Sequence, residues 1–153
     1  MQLSKNFSLT EFIKSQTALR MGIDNTPNDE HLEAAKKLAE HVLQPVRDHF
    51  GPTTINSGYR GPDLNKAVGG SATSQHCKGE AADIEVPGVS NYDLATWIEK
   101  NLDFDQVILE FYTPGIPDSG WVHVSYVGEG NRKKCLTATK VDGKTVYSLG
   151  LQK

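Results

Sequence analysis

The chain has 153 residues, 37% of them hydrophobic and 23% charged, and its formal net charge at pH 7 is −3. This length suits one domain, which would bury roughly two thirds of the surface that its unfolded chain exposes. The acidic balance argues against a general nucleic-acid binder, and no apolar run approaches the ~20 residues of a membrane helix. We therefore expect one soluble, monomeric domain that binds no nucleic acid and does not insert stably into a membrane.

The first residues, the cysteines and the basic cluster bear on where the protein works. Met1–Asn6 lacks the basic region, apolar stretch and cleavage site of a secretory signal, so we expect synthesis in the cytoplasm without export by that route. Cys77 and Cys135 could form one disulfide, but two reduced thiols are the expected state of a cytosolic product. The basic cluster Arg132–Lys134 is expected to be a solvated turn.

Residues 1–25 are predicted to form an N-terminal strap on the main body of the domain. Ser8–Glu11 has the form of a capping box, which favours a short helix that turns Phe12 and Ile13 inward. The strap is therefore expected to attach to the core through this helix.

The main helix is predicted to start after the strap, with Thr26 as its cap and Pro27 at its first position. Apolar residues recur every three or four positions from Leu32 to Val46, which indicates one buried stripe. Pro45 is expected to kink or end this helix.

Short strands and two further helices are predicted for the rest of the chain. The predicted strands are 53–56, 81–86, 105–112 and 121–127, the predicted helices are 63–68 and about 90–102, and a C-terminal hairpin at 135–149 flanks Asp142-Gly143. Neither a repeat nor a linker interrupts this order, so 1–153 is interpreted as a single α+β domain with helices packed on a mostly antiparallel sheet.

Two histidines and one aspartate have the residue types of a catalytic zinc site. His76 and Asp83 lie on either side of Gly79, which allows a tight reversal between them, and His123 follows about forty residues later. In the strand 121–127, Trp121, His123 and Ser125 share the face opposite the aliphatic residues, so His123 is predicted to point into a cleft. Three protein ligands would leave a fourth zinc position for water.

Other interpretations of these residues remain open on spacing alone. Asp83 could hydrogen-bond a turn while His123 is a half-buried histidine with its hydrogen bonds satisfied. Two histidines and a carboxylate also form the facial triad of non-haem iron oxygenases, although the usual close His/Asp spacing is absent here.

Three ordered motifs resemble the M15-type zinc peptidases, in the branch of D-alanyl-D-alanine carboxypeptidases and phage endolysins. They are Ser57-Gly58-Tyr59-Arg60, Ser74-Gln75-His76 with Gly79, Ala81 and Asp83, and Trp121-Val122-His123, within a match from about Phe7 to Tyr126. The resemblance implies a hedgehog/D-Ala-D-Ala peptidase-like fold and a Zn²⁺ ion held by His76, Asp83 and His123. It also implies that Arg60 binds or polarises the scissile carbonyl or a terminal carboxylate. The substrate-binding candidates are Arg60, Ser74, Gln75, Trp121 and Ser125.

The general base departs from the family pattern. Many relatives carry a Glu three residues before the final histidine, and that position is Gly120 here. Glu110 is our choice, because it interrupts an apolar strand that could pair with 121–127 and bring it near His123 on one face. Asp118 is the second candidate, although a turn role is its stronger interpretation.

Three neighbours of the ligands have simpler interpretations. Glu80 is expected to be a solvated turn residue, and Glu85 could support a metal ligand by a hydrogen bond. Cys77 is not expected to bind metal, because adjacent residues of an extended segment point to opposite sides.

These observations together predict a zinc metallopeptidase that cleaves peptidoglycan stem peptides, of the phage or prophage endolysin type. The alternative is a non-catalytic peptidoglycan-binding or structural module with the same fold. The bond that is cut, D-Ala-D-Ala or L-Ala-D-Glu, and terminal or internal cleavage stay open. A phage lysin of this kind would act at the bacterial cell wall or periplasm.

Overall fold

The computed structural model describes residues 1–71 and 73–152. The strands are β1 (Gln2–Ser4), β2 (Phe7–Ser8), β3 (Thr54–Ser57), β4 (Ala81–Glu85), β5 (Gln106–Glu110), β6 (Trp121–Ser125), β7 (Lys134–Val141) and β8 (Lys144–Leu149). The helices are α1 (Leu9–Ile13), α2 (Gln16–Met21), α3 (Asp29–Leu38), α4 (Gln44–Phe50), α5 (Pro62–Ala67) and α6 (Asn91–Asn101), together with a π turn (Ala39–Leu43) and a 3₁₀ turn (Gln75–Lys78).

Six strands form one mixed sheet in the order β3-β4-β6-β5-β7-β8. Neighbouring strands are antiparallel except for β5 and β7, which are parallel. β6 pairs with one edge of β5, and β7 pairs with the other. After β6 the chain therefore crosses to the far side of β5, and β7 runs in the same direction as β5. The predicted α+β fold with a mostly antiparallel sheet is confirmed, and the parallel pair is a feature that the strand pattern did not predict.

The hydrophobic core lies between the helices and one face of this sheet. Ile84 of β4, Val122 of β6 and Leu109 of β5 point to this face, and each is fully buried. They share one cluster with Leu38 of α3 and Ile98 of α6. Since successive side chains of a strand point to opposite faces, the intervening residues of the same strands lie on the other face, where the candidate site forms.

The start of the main helix differs from the prediction. Asn28, not Thr26, caps α3, and its side-chain oxygen accepts a hydrogen bond from the His31 N–H at 2.8 Å. The Thr26 hydroxyl donates instead to Asp24 at 2.7 Å. The two residues are both good caps by type, so the local turn made by Asp24 decides between them.

Pro45 does not end the helical segment, but a π turn interrupts the regular α-helix just before it. The π turn at Ala39–Leu43 precedes it, and Pro45 then lies at the start of α4, which continues to Phe50. The π turn changes the hydrogen-bond ladder directly before Pro45, so the missing proline N–H is tolerated there.

The two ends of the chain form local structure around clear turn signals. The Ser8 hydroxyl accepts a hydrogen bond from the Glu11 N–H at 3.2 Å, which confirms the predicted cap of α1. At the other end, β7 and β8 meet at Asp142 and Gly143, whose φ angles of 53° and 77° suit a two-residue hairpin turn. Among the described residues, the length and apolar content of each helix fall short of what a bilayer crossing requires.

Candidate metal centre and active-site cleft

His76, Asp83 and His123 come together on the sheet face opposite the helices. Asp83 of β4 is the direct cross-strand partner of His123 on β6. One Asp83 oxygen, Oδ1, lies 3.1 Å from His123 Nδ1 and 3.3 Å from His76 Nε2. One ligand atom from each residue lies within 4.8 Å of the others, and within residues 1–71 and 73–152 no other group of three has this geometry.

The His76 ring is oriented by the loop that precedes α5. Its Nδ1 lies 2.7 Å from the carbonyl oxygen of Gly58, which can only accept a hydrogen bond. Nδ1 therefore donates to this carbonyl, which directs Nε2 at Asp83 and leaves Nε2 as the atom that could bind a metal. A side chain at position 58 would overlap the Phe12 carbonyl, so glycine is required where this loop passes α1.

The central 3₁₀ turn ends as the glycine at position 79 predicts. Gly79 has a φ of 76°, and a Cβ there would overlap the His31 carbonyl on α3. The turn itself differs from the extended segment that was expected around Cys77. Cys77 lies outside the ligand group, as predicted, but in a 3₁₀ turn and not through strand alternation. Both Cys77 and Cys135 are free thiols.

The electrostatics of the group favour a charged carboxylate between two imidazoles. Burial by itself would raise the pKa of Asp83, but hydrogen bonds from His123 and His76 outweigh it and hold the pKa well below the usual range. Two imidazole nitrogens and one ionised carboxylate oxygen are ligands that zinc and other divalent transition metals accept. The three side chains could therefore hold a metal ion.

A cleft of about 1090 Å³ opens over the three side chains. Five other residues proposed from the sequence line it, namely Arg60, Ser74, Gln75, Glu110 and Trp121. Ser125 is not among them, because it is 0% exposed and its hydroxyl accepts a hydrogen bond from the Gln106 N–H at 3.1 Å. The structure thus assembles the predicted site residues except Ser125, which is turned into the protein.

Glu110 lies in this cleft as the direct cross-strand partner of Trp121. The Trp121 indole N–H donates a hydrogen bond to Glu110 Oε2 at 2.8 Å. Burial raises the pKa of Glu110, and the nearby Asp83 carboxylate raises it further, while His123, the indole and Arg60 oppose the shift. A carboxyl group with a raised pKa beside a metal centre has the protonation behaviour of a general acid or base.

Gly120 explains why the family's glutamate could not stand at that position in this backbone. Its φ is 64°, and a Cβ would overlap the Glu110 carbonyl oxygen. Any side chain at position 120 is therefore strained and blocked by β5. The half-buried carboxylate of the cleft comes from the neighbouring strand instead.

The other carboxylates proposed from the sequence have different positions. Asp118 is exposed and lines a separate cavity together with Glu85. Glu85 accepts hydrogen bonds from Asn56 at 2.8 Å and Asn91 at 3.1 Å, and neither partner is a metal-ligand candidate. Glu80 was predicted to be a solvated turn residue, but it is half-buried in the cleft wall, and burial raises its pKa.

Asn25 is a site residue that the sequence analysis missed. Its buried amide donates to the carbonyl oxygens of Ile13 at 2.9 Å and Tyr59 at 2.8 Å, and its oxygen accepts from the Gly61 N–H at 2.8 Å. These contacts bracket Arg60, whose own N–H donates to the His76 carbonyl oxygen at 3.0 Å. The strap therefore fixes the backbone on both sides of Arg60. No sequence signal marks Asn25, since its partners are distant along the chain.

Arg60 reaches the cleft with part of its guanidinium unpaired. Its Nε is buried without a hydrogen-bond partner among the described residues. The Arg60 side chain also lines the cleft, where N–H groups of its guanidinium can donate to an oxygen atom of a ligand.

Asp105 and Arg132 form an ion pair that the sequence analysis did not predict. Asp105 is 3% exposed, and it accepts hydrogen bonds from Arg132 Nη2 at 2.8 Å and from Gln75 Nε2 at 3.0 Å. The Arg132 hydrogen bond lowers the pKa of Asp105, with burial opposing it. Arg132 is 55% exposed in a segment outside the strands, which agrees with the predicted solvated turn, and it also lines the cleft. Its pair with Asp105 also holds the Gln75 amide in place.

An α+β domain with two imidazoles, an ionised carboxylate and a half-buried glutamate in one open cleft has the parts of a metal-dependent hydrolase. A family model described as Peptidase M15 matches residues 5–125, and the chain belongs to this family. Its members are metal-dependent peptidases, which confirms the predicted resemblance and places the chain among the metallopeptidases. None of the curated proteins matches the chain. The hairpin β7–β8 lies beyond the matched residues.

Proposed function

We propose that the protein is a zinc-dependent peptidase that cleaves peptidoglycan stem peptides, as a D-Ala-D-Ala carboxypeptidase or an endopeptidase. The observation that carries this proposal is one cleft that contains the His76, Asp83 and His123 group together with Arg60 and Glu110, in a chain of a peptidase family. We place its action at the bacterial cell wall, in the role of a phage or prophage endolysin.

Two of the three separations between the ligand atoms are close to those expected for zinc. Zinc–nitrogen and zinc–oxygen distances near 2.0–2.1 Å place tetrahedral ligand atoms about 3.4 Å apart. The distances from Asp83 Oδ1 to the two histidine nitrogens, 3.1 and 3.3 Å, are close to that value. When bound, the ion would polarise a carbonyl group and lower the pKa of a water molecule.

Glu110 is proposed as the general base and acid. Its carboxylate takes a proton from the water that attacks the carbonyl carbon, and it later gives the proton to the amine nitrogen as the C–N bond breaks. The raised pKa of Glu110 supports this assignment, because the proton is then held and released nearer to neutral pH. The Trp121 indole keeps the carboxylate oriented during both transfers.

Arg60 is proposed to bind the substrate oxygen. A guanidinium donates hydrogen bonds to a carbonyl oxygen that becomes negative, or to a terminal carboxylate, with a fixed planar geometry. The position of Arg60 in the cleft and the fixed backbone on either side of it support this role. Pre-positioned donors lose little entropy when the charge develops.

The proposal is tested with the purified, zinc-loaded protein and purified peptidoglycan. Release of new amino groups, with the products identified by mass spectrometry of muropeptides, would show both activity and the bond that is cut. The zinc content of the wild type and of His76→Ala is measured to test whether His76 is a metal ligand. Release of no amino groups by a zinc-replete protein would instead leave a non-catalytic wall-binding module.

A further inference from the structure

The hairpin β7–β8 extends the cleft beyond the part of the chain that the family match covers. β7 adds to the free edge of β5, and β8 forms the outer edge of the sheet. Leu136 of β7 and Tyr147 of β8 line the same cleft as the His-Asp-His group. The hairpin thus contributes surface to the candidate active site as well as covering an exposed strand edge.

The register places Tyr147 in line with Glu110. Glu110 is paired with Ala138 on β7, and Ala138 is paired with Tyr147 on β8. Residues directly paired across a sheet lie on the same face, so Tyr147 and Glu110 share the cleft face. Ala138 between them carries only a methyl group, so no bulky side chain separates the two.

The Tyr147 side chain is available to a ligand. It is 55% exposed, and its phenol makes no hydrogen bond within the described part of the chain. The negative charge of Glu110, after burial, contributes to a raised pKa of Tyr147, which agrees with the two groups facing one space. An exposed aromatic ring with a free phenol suits a partner that has both apolar and polar groups.

We propose that Tyr147, with Leu136 beside it, forms a substrate-binding subsite for the part of the wall peptide that extends past Glu110. This inference rests on the proposed function, and it assigns to the hairpin a role in holding long substrates. The ring packs against aliphatic side chains of the peptide, and the phenol donates to a backbone carbonyl oxygen.

The distance across the sheet sets the length of substrate that can reach this subsite. Tyr147 is two strand spacings from Glu110, which is about 10 Å. An extended peptide covers about 3.3–3.6 Å per residue, so this separation corresponds to about three residues. A dipeptide bound at the His-Asp-His group ends before Tyr147, whereas a complete stem peptide reaches it.

The test compares Tyr147→Ala, Tyr147→Phe and Val146→Ala in the zinc-loaded full chain. Val146 is the matched control, because it is 41% exposed on the same strand but points to the opposite face. For soluble muropeptides with complete stems, Tyr147→Ala is expected to raise KM about 10-fold with kcat unchanged, and Tyr147→Phe to have a smaller effect. Hydrolysis of a dipeptide substrate and the melting temperature stay unchanged in all three variants.

Binding measurements separate this proposal from the proposed function. The dissociation constant of an intact muropeptide is measured with the wild type and Tyr147→Ala, each also carrying Glu110→Gln to prevent cleavage. About 10-fold weaker binding in the Tyr147→Ala protein supports the subsite even if the wild type cleaves no peptide. Unchanged binding, an absence of muropeptide binding, or equal losses with the dipeptide and the full stem would overturn it.

Discussion

Replacing Glu110 by glutamine tests the proposed chemistry with little disturbance of the site. Glutamine has nearly the same volume, and its Oε1 can still accept the Trp121 indole hydrogen bond that the carboxylate accepts at 2.8 Å. The neutral amide also removes the burial cost that raises the pKa of Glu110. We therefore expect Glu110→Gln to fold, to be at least as stable as the wild type and to keep its zinc.

The size of the expected loss follows from the missing proton acceptor. A positioned general base contributes about 10²–10⁴-fold, so kcat should fall by that factor, equivalent to about 3–5 kcal/mol in the activation free energy. KM for a muropeptide should change little, because Glu110 is assigned to proton transfer and not to binding. Zinc content, melting temperature and steady-state kinetics on soluble muropeptides measure the three expectations.

The pH profile gives an independent check on the same residue. The base must be deprotonated, so activity falls as the pH drops through the Glu110 pKa. Trp121→Phe removes a hydrogen bond that lowers this pKa, and the acidic limb of kcat/KM should therefore move to higher pH in that variant. Turnover within tenfold of the wild type in Glu110→Gln would refute the assignment. Loss of zinc from that variant would recast Glu110 as a metal ligand.

Three further substitutions test the rest of the site. Asp83→Ala is expected to lose zinc, measured as metal per chain after dialysis, and retained zinc would remove Asp83 from the ligand set. Asn25→Ala should lower the free energy of unfolding by about 1–3 kcal/mol and reduce kcat/KM at full zinc occupancy, because it releases the backbone around Arg60; an unchanged kcat/KM would contradict this. Arg132→Ala should cost about 1–3 kcal/mol at neutral pH, since it removes hydrogen bonds to a buried carboxylate. The lowered pKa of Asp105 makes that contribution present above its unfolded pKa of about 3.9 and lost as the pH falls through the folded value, so urea unfolding should show the two proteins converging in acid.

Local sequence patterns were sufficient for most of the secondary structure, and they identified His76, Asp83 and His123 as candidate ligands that the resemblance to the M15 peptidases then favoured. Period-two alternation along Trp121–Ser125 places His123 on a polar face, and the glycine after the His76 turn permits the reversal that brings Asp83 back. These features depend on neighbours in the chain, which is why they can be read without a structure. The same reasoning found the cap of α1 at Ser8.

The same alternation misplaced Ser125. Alternation correctly predicts that Trp121, His123 and Ser125 lie on one side of β6. How far each of them is buried depends on the neighbouring strands and loops, which alternation does not reveal. The Ser125 hydroxyl accepts a hydrogen bond from the Gln106 backbone N–H, and Ser125 is fully buried. Trp121 and His123, on the same side of the strand, line the cleft. Depth within a sheet face is a tertiary property.

The remaining features of the site were decided by the tertiary structure. Asn25 holds the loop around Arg60 through partners 12 to 36 residues away, and a single amide carries no periodic signal. The parallel docking of β7 on β5 places Tyr147 in the cleft through pairing between distant strands. By itself, the sequence determined which residue types could bind a metal and that Asp83 and His123 lie on strands, but the 3₁₀ turn that carries His76 was not predicted. The sequence also pointed to Glu110 and showed that position 120 is glycine, but only the packing shows why no side chain fits at position 120, because the left-handed backbone of Gly120 lies against the Glu110 carbonyl.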